Sequence, residues 1–219
     1  MTPSTLLKII KHEINSSIKI IVVSKLQRIE KILDVYNSGH ISFGENKVQE
    51  LISKIDKLPS DIEWHFIGHL QTNKVKYIAP IVSLIHSVDS QKLLKVINIE
   101  SRKNNRIINC LLQFHIAEEE TKHGFTIDEA EKLLESEEFK TMQNIRIIGV
   151  MGMATFTDDR TKIRGEFKLL KSIFDSLSQK YFTNNKNFKE ISMGMTNDYN
   201  IAIEESSTML RIGSKIFNS

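Results

Sequence analysis

The chain is poor in cysteine, proline and glycine, with one, three and nine of them among 219 residues. A lone thiol excludes an intrachain disulfide and suits a reducing compartment. Cys110 lies in the stretch Ile107-Ile108-Asn109-Cys110-Leu111-Leu112, so it reads as a buried structural thiol rather than a nucleophile. With so few breakers there is no low-complexity linker and no repeat to mark a boundary, and residues 1–219 are expected to form a single domain. No apolar run approaches the length of a membrane span. The segment Leu6-Leu7-Lys8-Ile9-Ile10-Lys11-His12-Glu13 is patterned as an amphipathic helix and not as a secretory signal. A cytoplasmic protein with no membrane partner is therefore expected. Charge of one sign is lacking too. The formal net charge is +3, and basic and acidic residues are interleaved. In spite of a pI near 8.8, no stripe is available to follow a nucleic-acid backbone.

What is present is ordinary in bulk and ordered in pattern. Apolar residues make up 40% and charged residues 26%, as in average globular domains. β-rich runs recur at Ile20 to Ser24, His40 to Phe43, Trp64 to Ile67, Ser83 to His86, Ile108 to His115, Ile145 to Met151, Phe188 to Met193 and Thr208 to Ile212. Helical patterns fall between them, at Arg28 to Tyr36, Lys47 to Leu58, Ser90 to Lys103, Ile127 to Ser136 and Arg160 to Tyr181. Thr126 and Glu129 have capping-box spacing and predict a helix start. Alternating strands and helices predict a parallel sheet, and eight strands close an α/β (β/α)8 TIM barrel. An open doubly wound sheet is the alternative, but no Gly-x-Gly-x-x-Gly follows the first strand.

Polar clusters sit at the ends of these strands, where a barrel keeps its chemistry. Lys25 follows Ile20-Ile21-Val22-Val23-Ser24. At a buried strand end such an amine loses hydration and attacks aldehydes, the behaviour of a Schiff-base lysine for pyridoxal 5'-phosphate (PLP); a solvated lysine is the plainer alternative. After the second strand, Gly44 permits a tight turn that brings Asn46 toward a ligand, unless Asn46 only caps the next helix. His65 and His69 have the spacing of a helical zinc pair, but Trp64 to Ile67 reads as strand and Gly68 intervenes, so no metal site is expected from them. In the seventh strand, Ser192, Gly194 and Thr196 offer hydroxyls and backbone N–H groups to an anion, and Met193 offers an apolar wall. In the eighth, Gly213 and Ser214 complete that cradle. Arg211 is expected to point inward, where a group that only donates keeps a pyridine nitrogen unprotonated.

Together these motifs resemble one family. Val22-Val23-Ser24-Lys25, Phe43-Gly44-Glu45-Asn46, Trp64-His65-Phe66-Ile67-Gly68-His69-Leu70-Gln71, His86-Ser87-Val88-Asp89, Met151-Gly152-Met153-Ala154, Ser192-Met193-Gly194-Met195 and Arg211-Ile212-Gly213 occur in order. They are similar to the motifs of the PLP homeostasis proteins, barrels like the N-terminal domain of alanine racemase. The resemblance implies a fold-type III PLP barrel with the cofactor on Lys25, phosphate contacts from Ser192 to Thr196, Gly213 and Ser214, and Arg211 and Asn46 near the ring. It implies vitamin B6 homeostasis without established turnover, PLP-dependent apoenzymes as partners, and a monomer. Lys47, Gln27 and His115 depart from the usual pattern, whereas Glu119, Lys122 and Gly124 match it.

The functional alternative is a PLP-dependent amino-acid racemase or lyase with Lys25 as base. A two-base racemase of this barrel type needs a tyrosine from a further β-domain, and only six residues follow Gly213. A carrier is expected in preference to an enzyme. An RNA- or protein-binding module, suggested by the pI alone, ranks third.

Overall fold

The computed structural model describes residues 1–118 and 123–217. Glu119 and Lys122 of the resemblance lie outside them. Eight strands, β1 (Lys19–Val23), β2 (Ser42–Glu45), β3 (Glu63–Phe66), β4 (Leu84–Val88), β5 (Ile108–Phe114), β6 (Ile145–Gly152), β7 (Glu190–Ser192) and β8 (Met209–Ile212), form a closed parallel barrel in chain order. The ring closes where β1 lies beside β8, with Ile21 opposite Arg211 and Val22 opposite Ile212. The helices are α1 (Pro3–Glu13), α2 (Ile29–Asn37), α3 (Val48–Ile55), α4 (Val75–Ile78), α5 (Gln91–Lys103), α6 (Ile127–Glu135), α7 (Glu137–Lys140), α8 (Arg160–Tyr181), α9 (Tyr199–Glu204) and α10 (Ser214–Phe217). The Thr126–Glu129 capping box opens α6 with both of its bonds formed.

Alternation along each strand decides what faces the interior. Ile20, Val22, Trp64, Phe66, Ile85, Leu210 and Ile212 belong to the large apolar core between sheet and helices. Their neighbours turn the other way. Leu84, Leu111, Met151 and Met209 form a separate small cluster inside the ring, and Arg211 shares the Met209 face of β8. The interior is therefore plugged by apolar side chains in one layer and lined by polar ones toward the C-terminal strand ends.

Every strand departs from its expected bounds by one or two residues at one end or both, and in two of them the reason is identifiable. The second strand runs to Glu45 rather than stopping at Phe43, because Gly44 and Glu45 pair with β3, Gly44 leaves room for Ile21, and Glu45 is buried and bonded. In the seventh, Phe188 is not strand; its ring stacks on Phe174 and Phe182 outside the sheet, and β7 begins at Glu190.

Candidate functional site

A cavity of about 580 Å³ opens at the C-terminal ends of the strands, lined among others by Lys25, Asn46, Thr196, Arg211, Gly213 and Ser214. Its size is that of a small-molecule site. Gly68 lets the wall close behind Asn46, since a Cβ there would stand 2.2 Å from the Asn46 carbonyl oxygen. Asn46 does not cap α3; Lys47 holds the cap position, with no side-chain bond.

Lys25 is exposed to this cavity and not buried as the sequence suggests. Its position is fixed through its neighbours instead. Leu26 adopts a left-handed backbone, φ +61°, and its N–H donates to Glu50 Oε1. On the other side, buried Lys54 donates to the Ser24 carbonyl at 2.9 Å, to Glu45 Oε1 at 2.7 Å and to Glu50 Oε1 at 2.6 Å. Ser24 Oγ donates to the same Glu45 oxygen at 2.6 Å. Burial raises the Glu45 pKa above the usual carboxylate range, against the opposing pull of Lys54 and Ser24.

Arg211 is buried, and one arm donates to Ser192 Oγ at 2.7 Å while the other donates to the Gly152 carbonyl at 3.0 Å. Ser192 Oγ in turn meets His86 Nδ1 at 2.9 Å, and His86 Nε2 meets His65 Nδ1 at 2.9 Å. A guanidinium only donates, so Ser192 Oγ accepts from Arg211; with the hydrogen of His86 on Nε2 the remaining bonds run from Ser192 to His86 to His65, and with it on Nδ1 they run the other way. Burial keeps both rings neutral, pushing His65 down to about 3 and His86 well below its usual value. Burial also lowers Arg211, to about 10, which still leaves it a cation at neutral pH.

Of the seventh-strand residues expected to cradle an anion, Thr196 lines the cavity, with its hydroxyl 3.0 Å from Ser214 Oγ. Ser192, Met193 and Gly194 do not line it. The period of the strand explains this: Ser192 faces inward but is spent on Arg211 and His86, and Met193 turns outward into the main core. The Gly194 carbonyl accepts from the Arg211 N–H at 3.0 Å, so its part is in the sheet. Met153 and Met195 supply apolar wall, and both stand in the methionine–glycine motifs of the sequence. His65 and His69, rejected as a zinc pair, diverge here: His65 points inward to His86, whereas His69 reaches the cavity rim. Sequence reasoning missed His123 at that rim, for which no motif gave a signal.

The family model for the N-terminal domain of alanine racemase matches residues 7–219. The pyridoxal phosphate homeostasis protein of Aquifex aeolicus is 38% identical over 201 residues, covering 91% of this chain and 86% of the relative. The chain belongs to the pyridoxal phosphate homeostasis protein family. A second relative of that name, from Haemophilus influenzae, is 34% identical over 207 residues, 93% of this chain and 86% of its own. Among solved structures similar to this family member, PipY of Synechococcus elongatus without PLP superposes with a TM-score of 0.92 at 28% identity, over 99% of this chain and 100% of the other. PipY with PLP bound gives 0.88 at 27%, with the same coverage. Alanine racemase from Bartonella henselae, at 11% identity and TM-score 0.71, shares the fold over 99% of this chain and 58% of its own.

Proposed function

We propose that this homeostasis-family protein binds PLP in the barrel-mouth cavity, holds it on Lys25 as a Schiff base, and serves vitamin B6 balance without amino-acid turnover. The observation that carries the reading is the meeting in one cavity of an accessible amine, Lys25, a buried cation held by two bonds, Arg211, and a hydroxyl pair, Thr196 and Ser214. This donor set fits the cofactor. Thr196, Gly213 and Ser214 would hold its phosphate, Arg211 its ring nitrogen, and Asn46 with Met153 and Met195 the ring itself. When bound, the cofactor supplies an aldehyde carbon that condenses with an amine and releases water.

The chain's own residues then restrain that chemistry. Arg211 cannot accept a proton and remains charged at neutral pH, so beside the ring nitrogen it would keep that nitrogen unprotonated and weaken the ring as an electron sink. Release and transfer to PLP-dependent apoenzymes by an exposed amine is part of the proposal, as are a monomeric state and a cytoplasmic setting. The lone buried cysteine supports that setting.

Borohydride reduction of the PLP-loaded protein followed by peptide mass mapping tests the linkage, with the pyridoxyl group expected on Lys25 and lost in Lys25→Ala. An adduct elsewhere overturns it. Incubation with L- and D-amino acids in deuterated water tests the absence of turnover; Cα deuteration at an enzymatic rate, abolished in Lys25→Ala, would establish a racemase or lyase instead.

A further inference from the structure

His69, Asp89 and His123 come together at the rim of the cavity, each offering one ligand atom and all three atoms lying within 4.8 Å of one another. Among the described residues they are the one group of His, Cys, Asp or Glu side chains so arranged. We propose that they form a binding site for a divalent transition-metal ion.

The geometry centres on one oxygen. Asp89 Oδ2 lies 3.1 Å from His69 Nδ1 and 4.0 Å from His123 Nδ1. Two ligand atoms on a tetrahedral ion with bonds near 2.1 Å stand about 3.4 Å apart, so the two spacings bracket the edge that a bound ion requires. The imidazole rings are stacked, with centroids 3.9 Å apart and planes 16° from parallel, and both direct Nδ1 at that oxygen. Stacked in this way the in-plane Nδ1 lone pairs run nearly parallel, so ion binding requires the two exposed imidazoles to rotate out of the stack until both face the ion.

The fold holds each ligand at a different strand end. His69 follows β3, directly after the Gly68 that packs on Asn46. Asp89 follows β4 and precedes Ser90, the cap of α5. His123 is anchored through its carbonyl, which accepts from Gln113 Nε2 at 2.7 Å. Gly124 beside it has φ +149°, and a Cβ there would stand 2.4 Å from the His115 nitrogen, so this close approach needs glycine. Three consecutive strands of the barrel thus contribute one ligand each at its C-terminal face.

The donor set selects the ion. Two imidazoles and one carboxylate suit Zn²⁺, Fe²⁺, Co²⁺ or Ni²⁺, whereas Mg²⁺ and Ca²⁺ prefer shells of oxygen. The Asp89 side chain is only 10% exposed but those of His69 and His123 are 46% and 57% exposed, so the ion keeps open positions. Because both histidines line the cavity, those positions take water or an oxygen donor of whatever occupies it. The site does not depend on the PLP reading.

The test is calorimetric titration of the full-length protein, free of PLP, with Zn²⁺, and with Mg²⁺ in parallel. Saturable binding of one Zn²⁺ per chain with Kd on the order of 1 μM or tighter is expected, with no heat of binding from Mg²⁺. His69→Ala, His123→Ala and Asp89→Asn should each weaken Zn²⁺ binding by at least about a hundredfold, while His12→Ala leaves it unchanged. The raised thermal midpoint that Zn²⁺ gives the parent should be absent from His123→Ala. Failure of the parent to bind Zn²⁺, undiminished binding by His123→Ala or Asp89→Asn, or loss of binding in His12→Ala would overturn the proposal.

Discussion

Lys54 Nζ lies 2.9 Å from the carbonyl oxygen of Ser24, the residue immediately before Lys25. The same ammonium pairs with Glu50, whose carboxylate receives the N–H of Leu26, the residue immediately after. The exposed Lys25 amine is thus carried on a turn gripped from both sides by one ion pair of α3, buried at its Lys54 end. Rigidity is supplied from below, and the amine itself stays free to react.

Lys54→Met should therefore cost about 3 kcal/mol, the usual consequence of removing one partner of a buried pair and stranding the other. Denaturant unfolding measures it. The variant should also retain PLP less well on gel filtration, because the turn carrying Lys25 is loosened. Lys54→Met with Glu45→Gln should regain much of the stability without regaining retention. Parent-like stability and retention in Lys54→Met would remove the clamp from the account.

Arg211→Lys keeps the charge and loses the fork. A single ammonium cannot reproduce the planar reach to both Ser192 Oγ and the Gly152 carbonyl. A loss of about 1–2 kcal/mol in stability is expected for the broken charge-assisted bond. PLP affinity should fall about tenfold in an absorbance titration, which corresponds to about 1.4 kcal/mol. Equal affinity in the two proteins would mean that Arg211 does not meet the ring.

Acid should destabilise the fold through its buried histidines. His65 is held down to about 3 and His40 to about 4, both chiefly by burial, and His86 lies well below its usual value. Between these values and the ordinary histidine pKa of about 6.5 the unfolded chain takes up protons that the folded chain refuses. Stability is complete above that ordinary value and falls as pH drops below it. His65 alone should account for about 2 kcal/mol between pH 7.5 and pH 5. Glu45, raised by burial, acts in the opposite sense, favouring the fold in acid and losing that contribution as pH rises through its folded value. Urea midpoints measured across this range should show a shallower slope in His65→Asn than in the parent.

Cys110 should be silent. It is fully enclosed, and burial raises its thiol well above the ordinary range, so little thiolate is available as a nucleophile. Ellman's reagent should label none of the native protein within minutes and one thiol per chain in denaturant. Rapid native labelling would contradict the packing of β5.

The architecture was legible because its signal is redundant: eight β-rich runs, few breakers and strong helix patterns all specify the same ring. Short elements were harder. β7 has three residues, and Phe188 counted as strand from its composition although its ring belongs to an aromatic stack. Of the residues singled out in the sequence, Lys25, Asn46, Thr196, Arg211, Gly213 and Ser214 line the cavity, because they sit in or next to strand ends. Ser192, Gly194 and Thr196 were read together as anion donors, but β7 ends at Ser192, whose hydroxyl is taken up by Arg211 and His86, and only Thr196 lines the cavity; Met193, on the opposite face, packs into the core. The Lys54 clamp and the His69–Asp89–His123 cluster were not legible as wholes: Lys54 and Glu50 have i,i+4 spacing, but Ser24, Glu45 and the three cluster residues meet only through the pairing of neighbouring strands.

The seam between β1 and β8 has a consequence for synthesis. Lys25 stands just beyond the first strand, whereas Arg211 and Gly213 belong to the last strand and its end, and parallel pairing of Ile21 with Arg211 brings them together. A ribosome-bound chain carries Lys25 from the outset, but has no complete pocket until the eighth strand has emerged. A ligand that needs both walls of this cavity therefore meets them only once the ring has closed.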